Sequence, residues 1–289
     1  MVKKHPFLKG FLTAVVALIF FSSVINFLDG SLILPGEKIA VIEITGIVND
    51  SKPIIDEILR FKNYSSVKAI VLRINSPGGA VCPFQEIFKE IKKIGQKKKV
   101  VASMDSIATS GGYYIACAAE KILANPGTIT GSIGALIQFK NIEGLLDKIG
   151  IKGITIKSGK HKDIGSSYRD MTPEEKNILL GLVNDTHQQF IETVAKERNI
   201  PLDKIKKDIA DGRVFTGRQA KKIGLVDELG NLQDAIQAAA KMSGIKDEPQ
   251  IIYSKKESSF LGNFIKNSMA IIQEEVYKNF TAIKYSYLP

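Results

Sequence analysis

The sequence has only two cysteines, Cys82 and Cys117, and three histidines, His5, His161 and His187, among 289 residues. The cysteines form no CxxC pair and lie in apolar helical surroundings, so they read as two buried free thiols, with no disulfide signalled. The histidines have no ligand spacing, so neither a metal site nor a cofactor is expected. A Ser-His-Asp arrangement finds no support either, because neither His161 nor His187 sits beside an acid. His187 falls in a helical stretch and reads as a partly buried structural histidine. Internal repeats are absent. Acids are outnumbered, giving a net charge of +10, but the lysines are scattered in small clusters (Lys92-Lys93, Lys97 to Lys99, Lys204 to Lys207) with few aromatics between them. That pattern excludes a recognisable nucleic-acid surface and suits a solvated face, or one near anionic lipid headgroups.

Long uncharged runs are also scarce, with one exception. Phe11 to Leu28 is an eighteen-residue stretch without a charge. It approaches the roughly 20 apolar residues that span a bilayer as a helix. It exceeds the ~7–15 residues of a signal-peptide core, and no small-x-small cleavage site follows. The reading is a retained signal anchor. Lys3, Lys4 and Lys9 precede it and Asp29 follows, which places the N-terminus in the cytoplasm and the bulk of the chain outside. Three regions result: 1–35, cytoplasmic tip, transmembrane anchor and linker; 36–257, an extracytoplasmic domain; and 258–289, a C-terminal extension. In the extension Phe260, Phe264, Met269, Ile271, Ile272 and Val276 suggest an amphipathic helix.

What is abundant is α/β patterning. Strands are predicted at 38–48, 67–74, 99–104, 121–124, 133–139, 151–156 and 250–253. Helices are predicted at 53–62, 83–94, from Ser110, 141–149, 173–198, 202–209, 216–223 and 231–242. The longest opens on Thr172-Pro173-Glu174-Glu175, a hydroxyl cap, a proline and two acids. Its apolar positions Ile178, Leu182, Phe190, Ile191, Val194 and Ala195 keep helical spacing. Strands alternating with helices at these intervals imply a mostly parallel sheet.

Three glycine-bearing stretches each follow a strand-like run, at the ends where α/β sites form. Asn75-Ser76-Pro77-Gly78-Gly79 reads as a loop that presents main-chain N–H groups to an oxyanion, or as an ordinary turn. Ala108-Thr109-Ser110-Gly111-Gly112 puts a serine at a helix start. An N-cap role suits Ser110, but two glycines in the first helical turn each cost about 1 kcal/mol relative to alanine. Their presence suggests close approach to the backbone, with the Gly111 N–H facing a developing oxyanion. Thr130-Gly131-Ser132-Ile133-Gly134 is a turn that also offers the Ser132 hydroxyl. A nucleophilic serine without histidine needs another base. Lysine serves if its pKa falls from ~10.4 toward 7, a destabilisation of the ammonium of about 4 kcal/mol, which demands burial without a partner. The segment Lys157-Ser158-Gly159-Lys160-His161-Lys162 offers three candidates.

With NSPGG (75–79), SGGYY (110–114), TGSIG (130–134), SGKHKDIG (158–165), GRVFTGRQA (212–220) and IGLVDELG (223–230), in that order and spacing, the sequence resembles the signal peptide peptidase A family in its short bacterial form. The likeness covers about 36–245 and the N-terminal run. It implies a crotonase (Clp protease)-like α/β fold of repeated ββα units behind a single N-terminal transmembrane helix. It implies a serine endopeptidase with a Ser/Lys dyad: Ser110 as nucleophile, Lys162 as general base, Ser132 orienting Lys162, and Gly79 and Gly111 supplying the oxyanion hole. It also implies remnant signal peptides as substrates, ring- or dome-shaped homo-oligomers, and a bacterial inner-membrane location with the catalytic domain extracytoplasmic. A stomatin-associated protease would carry further apolar spans, an acyl-CoA hydratase would have to work away from cytoplasmic CoA, and a non-catalytic scaffold would use Ser110 as a mere cap.

Overall fold

The computed structural model describes residues 36–254 and 284–286. The apolar run at 11–28 and most of the C-terminal extension lie outside the described residues. Among those described, no helix is long and apolar enough to cross a membrane.

Strand β1 (Lys38–Val48) leads through helix α1 (Lys52–Asn63) to β2 (Val67–Ala80), then through α2 (Val81–Gly95) to β3 (Lys99–Thr109). These three pair in parallel in the order β3-β2-β1, with β8 (Gln250–Tyr253) parallel to β1 beyond them. On the other side of β3 the sheet forks. β4 (Lys121–Ala124) pairs with the start of β3, and β5 (Ile129–Gly131) with its end, both in parallel. β6 (Val214–Thr216) is antiparallel to β5, and β7 (Glu228–Leu229) is parallel to β4. A last short strand, β9 (Lys284–Ser286), runs antiparallel to Gly78–Ala80 of β2. The mostly parallel sheet expected from the sequence is therefore present.

Strand alternation sorts the core into two layers. Ile39, Val41, Ala69, Val71, Val101 and Leu123 point to one face, which α8 (Leu232–Ser243) covers with Ala235, Ile236, Ala239 and Ala240. The intervening residues, such as Ile42, Ile44, Leu72, Ile74 and Met104, point to the opposite face and meet α1, α2, α3 (Gly111–Ala116) and the C-terminal half of α5 (Pro173–Arg198). Being buried on both faces explains why these strands read as continuous apolar runs. The described residues from Glu37 onward belong to one compact unit.

Four expectations change. The stretch 75–79, read as a loop, continues β2 as far as Ala80, with Ile47 opposite Gly78 and Val48 opposite Gly79. Residues 133–139 and 151–156, read as strands, form none apart from a single bridge at Leu136; they have the composition but pair with no strand among the described residues, and strand propensity is decided by such partners. The apolar stripe of α5 is half used: Phe190, Ile191 and Val194 are buried, whereas Ile178 and Leu182 are exposed, with none of the described residues covering them. Lys284–Ser286, inside the segment read as a helical extension, is a strand.

Both cysteines are free, but only Cys117 is buried, and Cys82 is exposed. Burial pushes the Cys117 thiol up to about 12. A thiol-specific reagent at pH 8 is expected to modify Cys82 in the folded protein and Cys117 only after unfolding. Equal labelling rates at the two positions would contradict this packing.

Candidate active site

The three glycine stretches meet at one corner of the sheet. Ser76 of β2 lies opposite Ala108 of β3, and Thr109 lies opposite Gly131 of β5. The Thr109 hydroxyl donates to the Pro77 carbonyl at 3.1 Å. The residues that follow, Ser110 and Ser132, therefore leave adjacent strands side by side, and the Ser110 N–H donates to the Gly131 carbonyl at 2.8 Å.

Ser110 occupies the single residue between β3 and α3. It adopts φ 53° and ψ −119°, a conformation proper to glycine, at a cost of about 1–3 kcal/mol. It is 1% exposed, and its Oγ is buried with no hydrogen-bond partner. An orphaned buried hydroxyl costs roughly 1–3 kcal/mol more. As an N-cap its oxygen would accept from the helix, and it makes no such bond. Strain and an unsatisfied hydroxyl on one residue mark a position kept for something other than stability. Ser132 also has positive φ, at 52°, and is buried, with its N–H donating to the Arg213 carbonyl at 2.8 Å.

The glycines are required by contact. A Cβ on Gly79 would fall 2.1 Å from the Val48 carbonyl oxygen. One on Gly111 would fall 2.2 Å from the ring of Phe84, itself fully buried. Opposite Gly79 on its free edge lies Tyr285 of β9, so an extended segment of the chain already pairs along this edge.

Lys162 is not part of this corner's bonding. It lies in the turns that follow residue 157 and is exposed, and among the described residues its side chain has no hydrogen-bond or ion-pair partner. The Ser110 hydroxyl correspondingly receives nothing from it within the chain. The loop is held through its neighbour Asp163. Arg169 donates from Nε and Nη2 to both Asp163 oxygens at 2.8 Å, and from Nη1 and Nη2 to both Glu175 oxygens at 2.9 and 2.5 Å. Lys157 adds an ion pair to Asp163 at 2.5 Å. Glu175 also closes the capping box of α5 with Thr172. Arg169 first, then Lys157, holds the Asp163 carboxyl below the usual range, and Arg169 with the Thr172 N–H holds Glu175 at about 2. The motif reading missed this network. Its only sequence trace is the acid-rich helix start that Arg169 precedes.

The pattern of peptidase family S49 matches residues 92–246, more than half of the chain, and that of Clp protease matches residues 37–128. The chain is 46% identical over 210 residues to a candidate protease of Synechocystis sp., covering 72% of this chain and 76% of the relative. It is 32% identical over 248 residues to a candidate signal peptide peptidase SppA of Enterococcus faecium, covering 81% and 72%. It is 38% identical over 195 residues to Protease 4 of Salmonella typhi, covering 64% of this chain but 31% of that longer protein.

Two outcomes follow from this geometry. Ser110→Ala removes the orphaned hydroxyl and is expected to stabilise the fold by about 1 kcal/mol in denaturant unfolding; a lower midpoint than the parent would contradict the strained, unsatisfied state. Glu175 and Asp163 titrate below their unfolded values of about 4. Their contribution is thus fully present above pH 4 and lost as pH falls toward 2. Amide exchange in 157–171 should accelerate in that interval ahead of the core, and uniform exchange across both would overturn it.

Proposed function

Since the chain belongs to peptidase family S49 and is a serine-type peptidase of the signal peptide peptidase A kind, we propose that Ser110 is its nucleophile and Lys162 its general base, brought together where two copies of the chain meet. The observation that carries this reading is the strained, buried and unpartnered Ser110 hydroxyl at the convergence of the three glycine stretches. In the reaction, neutral Lys162 Nζ accepts the Ser110 proton as Oγ bonds to the carbonyl carbon of the substrate. The resulting oxyanion is held by main-chain N–H groups of Gly79 and Gly111. Collapse breaks the C–N bond, and the Lys162 ammonium returns the proton to the leaving amine. Water then attacks the acyl ester, giving its proton to Lys162, and Ser110 is regenerated. Ser132 Oγ orients Lys162.

Two facts support a shared site. Lysine becomes a base only out of water, and Lys162 of the single chain is solvated. Lys162 belongs to a lobe, residues 141–171, that Ile142 N–H to Ser167 O at 2.9 Å and Ile151 N–H to Leu146 O at 3.0 Å tie together. This lobe displays uncovered aliphatic side chains, with Leu145, Ile149 and Ile151 exposed and Ile154 and Ile156 88% and 96% exposed. A second copy seated there would cover this patch and exclude water, in a ring or dome of subunits.

The substrate binds as an extended strand along Gly78–Ala80, the edge that β9 occupies. Remnant signal peptides, apolar and released at a membrane, suit both that mode and the apolar run at 11–28, which would anchor the chain with its catalytic domain outside the cytoplasm. The relative named as a signal peptide peptidase supports the same substrate class.

The test is hydrolysis of an apolar fluorogenic peptide by the full chain. Ser110→Ala and Lys162→Ala should each lose at least about a thousand-fold in kcat. Subunits of the two variants, mixed one to one before assembly, should regain about a quarter of parental activity, because one interface in four then pairs an intact serine with an intact lysine. An inert mixture would place both residues in one chain, and an active Lys162→Ala would remove the dyad altogether.

A further inference from the structure

Nothing in the reaction above accounts for Arg169, which makes two bidentate carboxylate contacts at once. Loop 157–171 has no strand or helix to hold it. Its backbone bonds, Lys162 N–H to Gly159 O at 3.1 Å, Ile164 N–H to His161 O at 3.1 Å and Ser166 N–H to Asp163 O at 2.9 Å, close local turns, and Ile142 N–H to Ser167 O at 2.9 Å ties its far end to the residues before the loop; none of them ties the turns to the buried core. Arg169 does so. On one side its guanidinium grips both oxygens of Asp163, the residue next to Lys162. On the other it grips both oxygens of Glu175, which is 3% exposed and belongs to the first turn of α5. That helix is seated in the core through Phe190, Ile191 and Val194. A planar fork bonded on two edges fixes direction as well as distance, which a lysine at the same position does not. The lysine-bearing turn is thereby keyed to the core of its own chain, so that the seating of two copies sets where Lys162 stands at the other copy's Ser110.

The same contacts dispose of a charge. A carboxylate one residue from the base would favour its ammonium and oppose proton abstraction. Asp163 is instead shared between Arg169 and Lys157, and Arg169 is balanced by Glu175. Within 157–175 the other charged groups besides Lys162 have partners of their own: Lys160 pairs with Glu174, which also lies 3.4 Å from His161 Nε2, and Asp170 accepts from the Asn141 amide. The four-membered group Lys157, Asp163, Arg169 and Glu175 is neutral as a whole.

We propose that Arg169 is the positioning residue of the reaction, setting the place of Lys162 and withdrawing the Asp163 charge from it. This rests on the reading of Lys162 as the base.

The experiment uses the full chain, the same fluorogenic peptide and four variants beside Lys162→Ala. Arg169→Gln should lose about a hundred-fold in kcat, the scale of a misplaced reacting group, with KM changed less than about threefold. The pH at which its kcat/KM reaches half of the plateau should rise by about one unit, since the freed Asp163 carboxylate now favours the ammonium. Adding Asp163→Asn to Arg169→Gln should return the pH profile to the parental position while kcat stays low. Arg169→Lys should keep the parental pH profile and lose about ten-fold in kcat; if Arg169→Gln does not fold, this variant carries the test alone. Glu175→Gln, which weakens the far grip, should lower kcat in the same direction. Parental kcat in folded Arg169→Lys or Arg169→Gln, or a loss matched by the fraction of unfolded protein with no change in pH profile, would overturn the proposal. Activity surviving in Lys162→Ala would instead overturn the reading beneath it.

Discussion

The junction between β3 and α3 governs the site. β3 is paired on both sides as far as Ala108, with Ser76 and Thr130, and Thr109 still pairs with Gly131, so the chain stays in the sheet until Thr109. Helix α3 begins two residues later, at Gly111, packed against α2. One residue must turn the chain, and positive φ is the conformation that does it. The strain is sustained because α3, only six residues long and too short to be stable alone, is gripped from every side. Tyr113 is fully buried and donates to the Leu225 carbonyl at 3.0 Å, while Tyr114 packs against Phe88 and Phe190. The core thus holds Ser110 in a state that the residue itself opposes.

Charge is distributed to match. Around the corner the buried polar residues are hydroxyl-bearing: Ser76, Thr109, Ser110, Thr130 and Ser132. Ionisable groups gather instead on the lobe beyond residue 157, where Lys157, Asp163, Arg169 and Glu175 satisfy one another. On the proposed reading, the proton acceptor for Ser110 therefore comes to the corner from outside it. On that reading, a base beside a group of charges that cancel, Lys157 and Arg169 against Asp163 and Glu175, is a workable source, because that group adds no net charge next to the amine.

Much of this was legible in the sequence, and the misses in strands and apolar faces share one cause, the tertiary partner. The central strands, α1, α2, α5 and α8 announce themselves through apolar runs and caps, since each buries its side chains within the chain. The glycines of 75–79 and 110–112 pointed to close backbone approach, and Gly79 and Gly111 have no room for a Cβ. Reading 75–79 as a loop failed because glycine and proline depress strand propensity, whereas β1 supplies a partner that overrides it. Ile151, Ile154 and Ile156, and likewise Ile178 and Leu182, looked like core because they are aliphatic and periodic, yet they stand exposed, with none of the described residues laid over them. Pattern reports that a surface wants covering and is silent on what covers it. Arg169 was invisible for another reason: its partners lie six residues to either side in an irregular loop, where no periodicity ties them together.

Those uncovered aliphatics and the solvated Lys162 lie on one lobe, and on the proposed reading this gives assembly a chemical consequence. Lysine in water is an ammonium at neutral pH and has no lone pair with which to take a proton. A single copy then holds a strained nucleophile without a base, and its hydroxyl stays inert toward passing chains. Covering Ile151, Ile154 and Ile156 with a second copy supplies apolar burial of roughly 1.5–3 kcal/mol per side chain. That is comparable with the few kcal/mol needed to strip water from one amine. The same contact would therefore drive association and convert Lys162 to its neutral form. Proteolysis would be confined to the assembled state, where access to Ser110 is limited to an extended peptide threaded along Gly78–Ala80.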